Sequence, residues 1–205
     1  MKVVLFVEGT TEKALPAFFK KWLDPRLPRP IGFKVVRFEG WAEYDREIER
    51  KVELNLSGKK AADVVLGLGL LDLYGPTIYP RGLATADERY DWGKAHFEKR
   101  VDHPRFRQHF AAHETEAWLL SDPSILPPAV ANALPGRCAQ PETVNFDEPP
   151  AKLLERLYRE KLRRGYKKVI DGMNLFAALS PDTAHARCPR FRAMLDEMLA
   201  VVKQA

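Results

Sequence analysis

Three carboxylates in this chain stand where acids are costly to place. Glu8 directly follows the apolar run Val3-Val4-Leu5-Phe6-Val7, Gly9 comes next, and Glu12 lies four residues beyond Glu8. Asp72 closes a second apolar stretch, "VVLGLGLLD", just ahead of Leu73-Tyr74-Gly75. An acid at the end of a buried segment is unfavourable unless it has a partner. Two acids brought together repel, so either one takes up a proton or a cation sits between them. Magnesium suits that position, because it binds oxygen ligands and uses one or two protein carboxylates, completing its shell with water and phosphate. Glu114 and Glu116, in "HETEAWLL", are further candidates. On a strand both would face one side; on a helix they would diverge and only one would reach the site.

Plainer roles compete with these. Glu12 in a first helical turn would complement the positive helix N-terminus, worth about 0.3–1 kcal/mol. Asp72 would serve as a turn residue, and Glu114 with Glu116 as an acidic helix start. His109 and His113 are spaced i, i+4, as zinc ligands often are. The surrounding acids and absent thiols suit a harder cation better. His113 is read as a supporting group or proton shuttle, and His96, His103 and His185 as surface residues.

The elements that must carry these residues follow from periodicity. "KVVLFV" is an unbroken apolar run of strand length, the pattern of a strand buried on both faces. Residues 11–23 carry Ala14, Leu15, Phe18, Phe19 and Trp22 at helical spacing, ended by the prolines at 25, 28 and 30. "FKVVRFEG" reads as a strand, "WAEYDREIERKVELNLSG" as an amphipathic helix and "AADVVLGLGLLDLYG" as a third strand. This alternation defines an α/β domain with a parallel sheet. In such sheets ligands bind outside the carboxyl ends of the strands, where Glu8 and Asp72 fall.

Further on, 84–102 reads as a charged helix, and 105–123 as a short strand running into a helix. Residues 121–150 hold seven of the sixteen prolines and read as an extended loop. "AKLLERLYREKLRRGYKKV" reads as a basic helix broken at Gly165. A last helix over 191–203 carries Phe191, Met194, Leu195, Met198 and Leu199 on one face. The expected organisation is an α/β core over 1–120, with a loop and helical C-terminal extension over 121–205 packed on it as one structural domain.

The 205 residues fit that size. Hydrophobic residues make up 45%, and no apolar run is long enough to span a membrane. Five apolar residues between Lys2 and Glu8 are too few for a signal peptide. Cys138 and Cys188 form no CxxC pair, which argues against a zinc ribbon and suits a reducing cytoplasm. The net charge of +5 is compatible with a polyanionic partner.

With these elements placed, "VEGTTE" after the first strand and "LLDLYG" at the third resemble the Toprim domain shared by topoisomerases, primases and the overcoming-lysogenization-defect nucleases. The EGxTE form is similar to the nuclease branch. "HETEAWLLSD", "PPAKLLERL", "GYKKVIDG" and "CPRFRAML", taken in order, resemble a bacterial family of small stand-alone Toprim-like proteins of unknown function. The resemblance implies a Toprim-like parallel sheet flanked by helices with a helical C-terminal extension. It makes Glu8 a metal ligand or general base, with Glu12, Asp72, Glu114 and Glu116 as further ligands of magnesium or manganese. Tyr74 departs from the pattern, standing where Toprim domains carry the second acid of a DxD pair.

The resemblance also gives Lys152 and Lys168 as cations for the transition state, a role that phosphoryl chemistry requires. Lys152 follows Pro149-Pro150 and is expected to be held rigidly at a helix start. Arg156, Arg159, Arg163, Arg164 and Lys167 form a run dense enough to track a nucleic-acid backbone, or alternatively a solvated helix face. The expected activity is metal-dependent hydrolysis of phosphodiesters in nucleic acid, in a cytoplasmic protein of phage or mobile-element defence. A separately encoded ATPase is an expected partner, since no GxxxxGK[ST] loop occurs here. The alternative is a catalytically inactive Toprim-like module that binds nucleic acid or regulates a partner.

Overall fold

The computed structural model describes residues 1–8, 14–143 and 148–205. Glu12, and the proposed helix start at Thr11, lie outside the described residues. Among these residues the sheet has four strands, β1 (Lys2–Glu8), β2 (Gly32–Phe38), β3 (Val64–Asp72) and β4 (Phe106–Ala111), in the order β2-β1-β3-β4. Every pairing is parallel. The helices are α1 (Leu15–Leu23), α2 (Trp41–Leu56), α3 (Ala86–Val101), α4 (Glu116–Leu119), α5 (Pro128–Ala131), α6 (Pro150–Leu162), α7 (Ile170–Ala178), α8 (Pro181–Arg187) and α9 (Pro189–Gln204). The expected α/β class is therefore the observed one.

Strand alternation divides the core into two layers. Val3, Leu5 and Val7 of β1, with Leu66, Leu68 and Leu70 of β3, face α1, α4, α6, α7 and α9. Val4 and Phe6, with Leu71, Phe106 and Phe110, face α2 and α3. The first layer is held by packed rings. Trp118 lies 4.6 Å from Phe191, and Phe18 5.6 Å from Phe191 in a stacked arrangement. Residues from the C-terminal region thus share the first layer with β1 and β3, so the expected extension is packed on the sheet.

In the other layer β3 needs glycine. A Cβ on Gly67 would come within 2.6 Å of Leu56 Cδ2 of α2. Gly69 admits the Tyr44 hydroxyl and the Gln108 amide, which are hydrogen-bonded to each other at 2.6 Å.

Two expectations change. The proline-rich stretch is a chain of short helical turns rather than an extended loop: Pro123–Ile125, α5, Gly136–Ala139 and Pro141–Thr143. Proline is favoured at the first position of a helix, where no N–H is required, so closely spaced prolines start short helices as readily as they end long ones. Leu126, Val130 and Cys138 anchor these turns in the first layer. The basic segment also ends sooner than Gly165. Arg163 closes α6 in a left-handed conformation (φ 55°), and α7 and α8 follow before α9.

α1 lies on one face of the sheet while α2 and α3 lie on the other. The chain moves to one side from β1 to β2, then crosses back to β3 and β4. The direction reverses between β1 and β3, and the crevice outside their carboxyl ends is the switch point where open α/β sheets bind ligands.

Candidate metal and phosphate site

Glu8 and Asp72 both end their strands at this crevice. Val7 is level with Leu70, so the two acids lie within about a residue of one another in register. Alternation sends Glu8 to the side of Val4 and Phe6, and Asp72 to the side of Leu68 and Leu70. They meet only because both sit at the rim. Together with Tyr74, Gly75, His113, Glu114 and Pro149 they line a pocket of about 390 Å³.

Glu8 accepts a hydrogen bond from the backbone N–H of Trp41, the first residue of α2. Its Oε2 is buried without a hydrogen-bond donor among the described residues. Burial pushes its carboxyl above the ordinary value, while the Lys168 charge and the Trp41 amide pull it back. An unsatisfied buried carboxylate oxygen is unfavourable by itself, and a proton or a cation would relieve it. Asp72 Oδ1 accepts from the Thr115 backbone N–H at 3.2 Å, which ties the end of β3 to the start of α4.

β4 stops at Ala111, so Glu114 and Glu116 do not share a strand face. His113 turns the chain in the left-handed region (φ 69°). Glu114 then faces the pocket, and its Oε2 accepts from the Ala151 backbone N–H at 2.9 Å, in the first turn of α6. Glu116 starts α4 and is fully buried. Its Oε1 lies 3.2 Å from Lys168 Nζ, an ion-pair distance, though without the angle of a good hydrogen bond. Burial pushes the Glu116 carboxyl up, and the Lys168 charge opposes that. Burial also works against the Lys168 ammonium, but Glu116, Asp72 and Glu114 outweigh it and hold its pKa above the ordinary value. Lys168 is therefore a fixed positive charge among carboxylates.

Sequence reasoning missed Tyr166 here, and did not foresee how Tyr74, His113 and Lys152 are placed. The Tyr74 ring, two residues past the end of β3, stacks on His113 with centroids 4.6 Å apart. Burial lowers the His113 pKa to about 4, opposed by a hydrogen bond with the Glu142 backbone, so the ring is neutral at neutral pH. Tyr166, inside the "GYKK" stretch, joins Glu114, Lys152 and Lys168 around a smaller adjoining pocket of about 210 Å³. Lys152 is not held rigidly: its side chain is 70% exposed, and Glu155 is its ion-pair partner at 3.4 Å. A lysine in the first turn of an amphipathic helix points outward when the buried stripe is Leu153, Leu154 and Leu157.

The histidine pair does not form a site. His109 Nε2 bonds Glu197 of α9 at 2.9 Å, and its Nδ1 bonds the Tyr90 hydroxyl at 2.7 Å. His96 and His185 stack on Trp92 and Trp22 and, like His103, are partly buried rather than fully on the surface.

The basic run is partly neutralised. Arg156 pairs with Glu148 at 2.5 Å and with Glu160 at 3.2 Å, Arg159 with Glu155 at 2.8 Å, and Arg164 with Asp171 at 2.8 Å. Arg163 and Lys167 are exposed. Most of this stretch is an ion-paired solvent face, whose pairs contribute little to stability.

The described residues include no group of three acidic, histidine or cysteine side chains close enough together to hold a metal ion. Nor is any helix among them long and apolar enough to cross a membrane. An all-parallel α/β sheet, with an acidic crevice at its switch point and the Lys168 ammonium beside it, defines the class. The chain belongs to the DUF4276 family, a domain of unknown function, whose model matches residues 7–199. No curated protein and no solved structure matches the chain.

Proposed function

We propose that the protein is a divalent-cation-dependent phosphodiesterase acting on nucleic acid, of the Toprim nuclease type. The observation that carries this is the crevice itself, with Glu8, Asp72 and Glu114 lining one pocket and the Lys168 ammonium held by Glu116 beside them.

The residues fit a magnesium or manganese ion. Glu8 offers a buried oxygen without a donor among the described residues, and Asp72 opens on the same pocket. Two carboxylates suffice for such an ion when water and phosphate complete its shell. When bound, the ion supplies charge for a phosphoryl oxygen and lowers the pKa of water. Lys168 adds a permanent cation for the charge that develops on phosphate. Glu116 holds that cation in place, and the Thr115 amide orients Asp72. Tyr74 and neutral His113 wall the pocket with a stacked pair.

The test is cleavage of a plasmid and of single-stranded DNA and RNA by purified protein, with and without manganese. Glu8→Ala and Asp72→Ala should abolish it. A second reading, a module that binds nucleic acid without cutting it, is favoured by Tyr74 standing where a second acid would be. Nucleic-acid binding without cleavage under every metal condition would establish that reading instead.

A further inference from the structure

A second pocket of about 420 Å³ opens beside the acidic one, on the opposite side of the same strand ends. Asp72, Tyr74 and His113 line the acidic pocket, while Leu73 and Ala112, the residues between and beside them, line this one. Its remaining walls come from Ala86, Asp87 and Tyr90 of α3, from Gln140 to Thr143, and from Arg187, Pro189 and Arg190 around the start of α9. Size and lining, an apolar wall with a few converging polar groups, are those of a small-molecule site.

Two flat groups define its character. The Arg190 guanidinium lies over the Tyr90 ring, 4.1 Å from the centroid. Both are fixed. Arg190 pairs with Asp87 and Asp91. The Tyr90 hydroxyl donates to His109 Nδ1 at 2.7 Å, and His109 Nε2 donates to Glu197 at 2.9 Å. That chain of bonds fixes the buried Tyr90 ring behind the Arg190 guanidinium, so the position of the guanidinium plane is set before any ligand arrives.

The charges speak against an anion. Glu142 already accepts from the backbone N–H groups of Arg190 at 2.7 Å and Phe191 at 3.0 Å, so the amides at the start of α9 are taken. Asp87 and Glu142 balance Arg187 and Arg190. The pocket suits an uncharged planar ring with hydrogen-bonding edges, for which the Arg190 guanidinium plane, backed by Tyr90, supplies stacking and Gln140 and Thr143 supply polar contacts.

We propose that this pocket receives an unpaired nucleobase adjoining the phosphate handled at Glu8 and Asp72, so that the substrate is single-stranded or locally unpaired nucleic acid. The proposal rests on the phosphodiesterase reading in taking a nucleotide as the ligand. The pocket can be tested independently.

The experiment is calorimetric titration of the whole chain with adenosine, guanosine, cytidine, uridine and thymidine, and with ribose as control. It is repeated on Ala86→Phe, which fills the pocket from a partly exposed helix start, and on Gln140→Ala. Thermal melts confirm that both variants fold. At least one nucleoside should bind and ribose should not, and Ala86→Phe should weaken that binding by about tenfold or more, the scale of one lost base stack. Absence of nucleoside binding at millimolar concentration, or equal binding by folded Ala86→Phe, overturns the proposal. Cleavage assays separate the two ideas. Nucleoside binding that Ala86→Phe removes, in a protein that cuts nothing, upholds the pocket and sinks the phosphodiesterase reading. Cleavage without nucleoside binding does the reverse.

Discussion

Glu116 and Lys168 form an ion pair across the site, at 3.2 Å, although the glutamate is fully buried and the lysine side chain is 42% exposed. The arrangement is asymmetric, since the acid depends on the lysine more than the lysine depends on the acid. Lys168→Met should leave Glu116 as a buried charge with no counterion. Losing one partner of a buried pair costs about 3–5 kcal/mol, discounted here for the half-open lysine. Burial already raises the Glu116 carboxyl pKa, so the folded state holds this proton more tightly than the unfolded chain does. The loss should be largest at neutral pH and shrink as pH falls and Glu116 takes up a proton. Glu116→Gln in the same chain should recover most of it. Urea melts of the single and double variants at two pH values decide this. A loss that is the same at both values would mean the pair is not electrostatic in origin.

Glu8 leads to the opposite expectation. Its raised carboxyl pKa means that keeping it ionised at neutral pH opposes folding. Glu8→Gln should therefore leave the melting temperature unchanged or raise it, while manganese binding falls by at least tenfold. Differential scanning calorimetry and metal titration read the two effects separately. A large drop in melting temperature would assign Glu8 to the scaffold.

The basic segment yields a ranking. Arg156, Arg159 and Arg164 are engaged by nearby acids, whereas Arg163 and Lys167 extend into solvent. Neutralising Arg163 and Lys167 should flatten the salt dependence of nucleic-acid binding by about 0.9 per lost phosphate contact on duplex. Neutralising Arg156 and Arg159 should change it less. Equal effects would show that the acids release their arginines when nucleic acid binds.

Glu197 sets a pH signature far from the crevice. Its hydrogen bond with His109, working against burial and helped by Lys94, lowers its pKa to about 2. His109 itself is held below its ordinary value by burial, so at neutral pH the bond and Lys94 matter more than any charge on the imidazole. A depressed carboxyl pKa stabilises the fold above the unfolded value of 4.5, and that stability is lost as pH falls towards 2. Glu197→Gln should cost about 1.5–3 kcal/mol at neutral pH, the range for a hydrogen bond to a charged group. The gap from the unaltered chain should close between about pH 4.5 and 2 in a chemical-denaturation series. A gap constant with pH would refute the assignment.

The strands were legible because burial on both faces writes an unbroken apolar run, as in "KVVLFV" and "VVLGLGLLD", and acids at their ends stand out against it. Glu114 was legible for the same reason. Which of the two arrangements open to Glu114 and Glu116 holds was not, because it depends on a left-handed turn at His113 that no periodicity encodes. The short helices around 123–143 escaped because fewer than two turns give no period to read. The network of Tyr90, His109 and Glu197 escaped for another reason: its links span 19 and 88 positions, which only the fold brings together.

The shared core of the first layer has a consequence for biosynthesis. Val3, Leu5 and Val7 are made well before the Phe191, Met194, Leu195 and Met198 that cover them. Until the ribosome has released α9, one face of the nascent sheet has no complete cover. Such transiently bare apolar surface is where larger chains aggregate during synthesis. Folding of this layer thus waits for the synthesis of α9, and a chain cut before α9 would yield a sticky sheet rather than a smaller working domain.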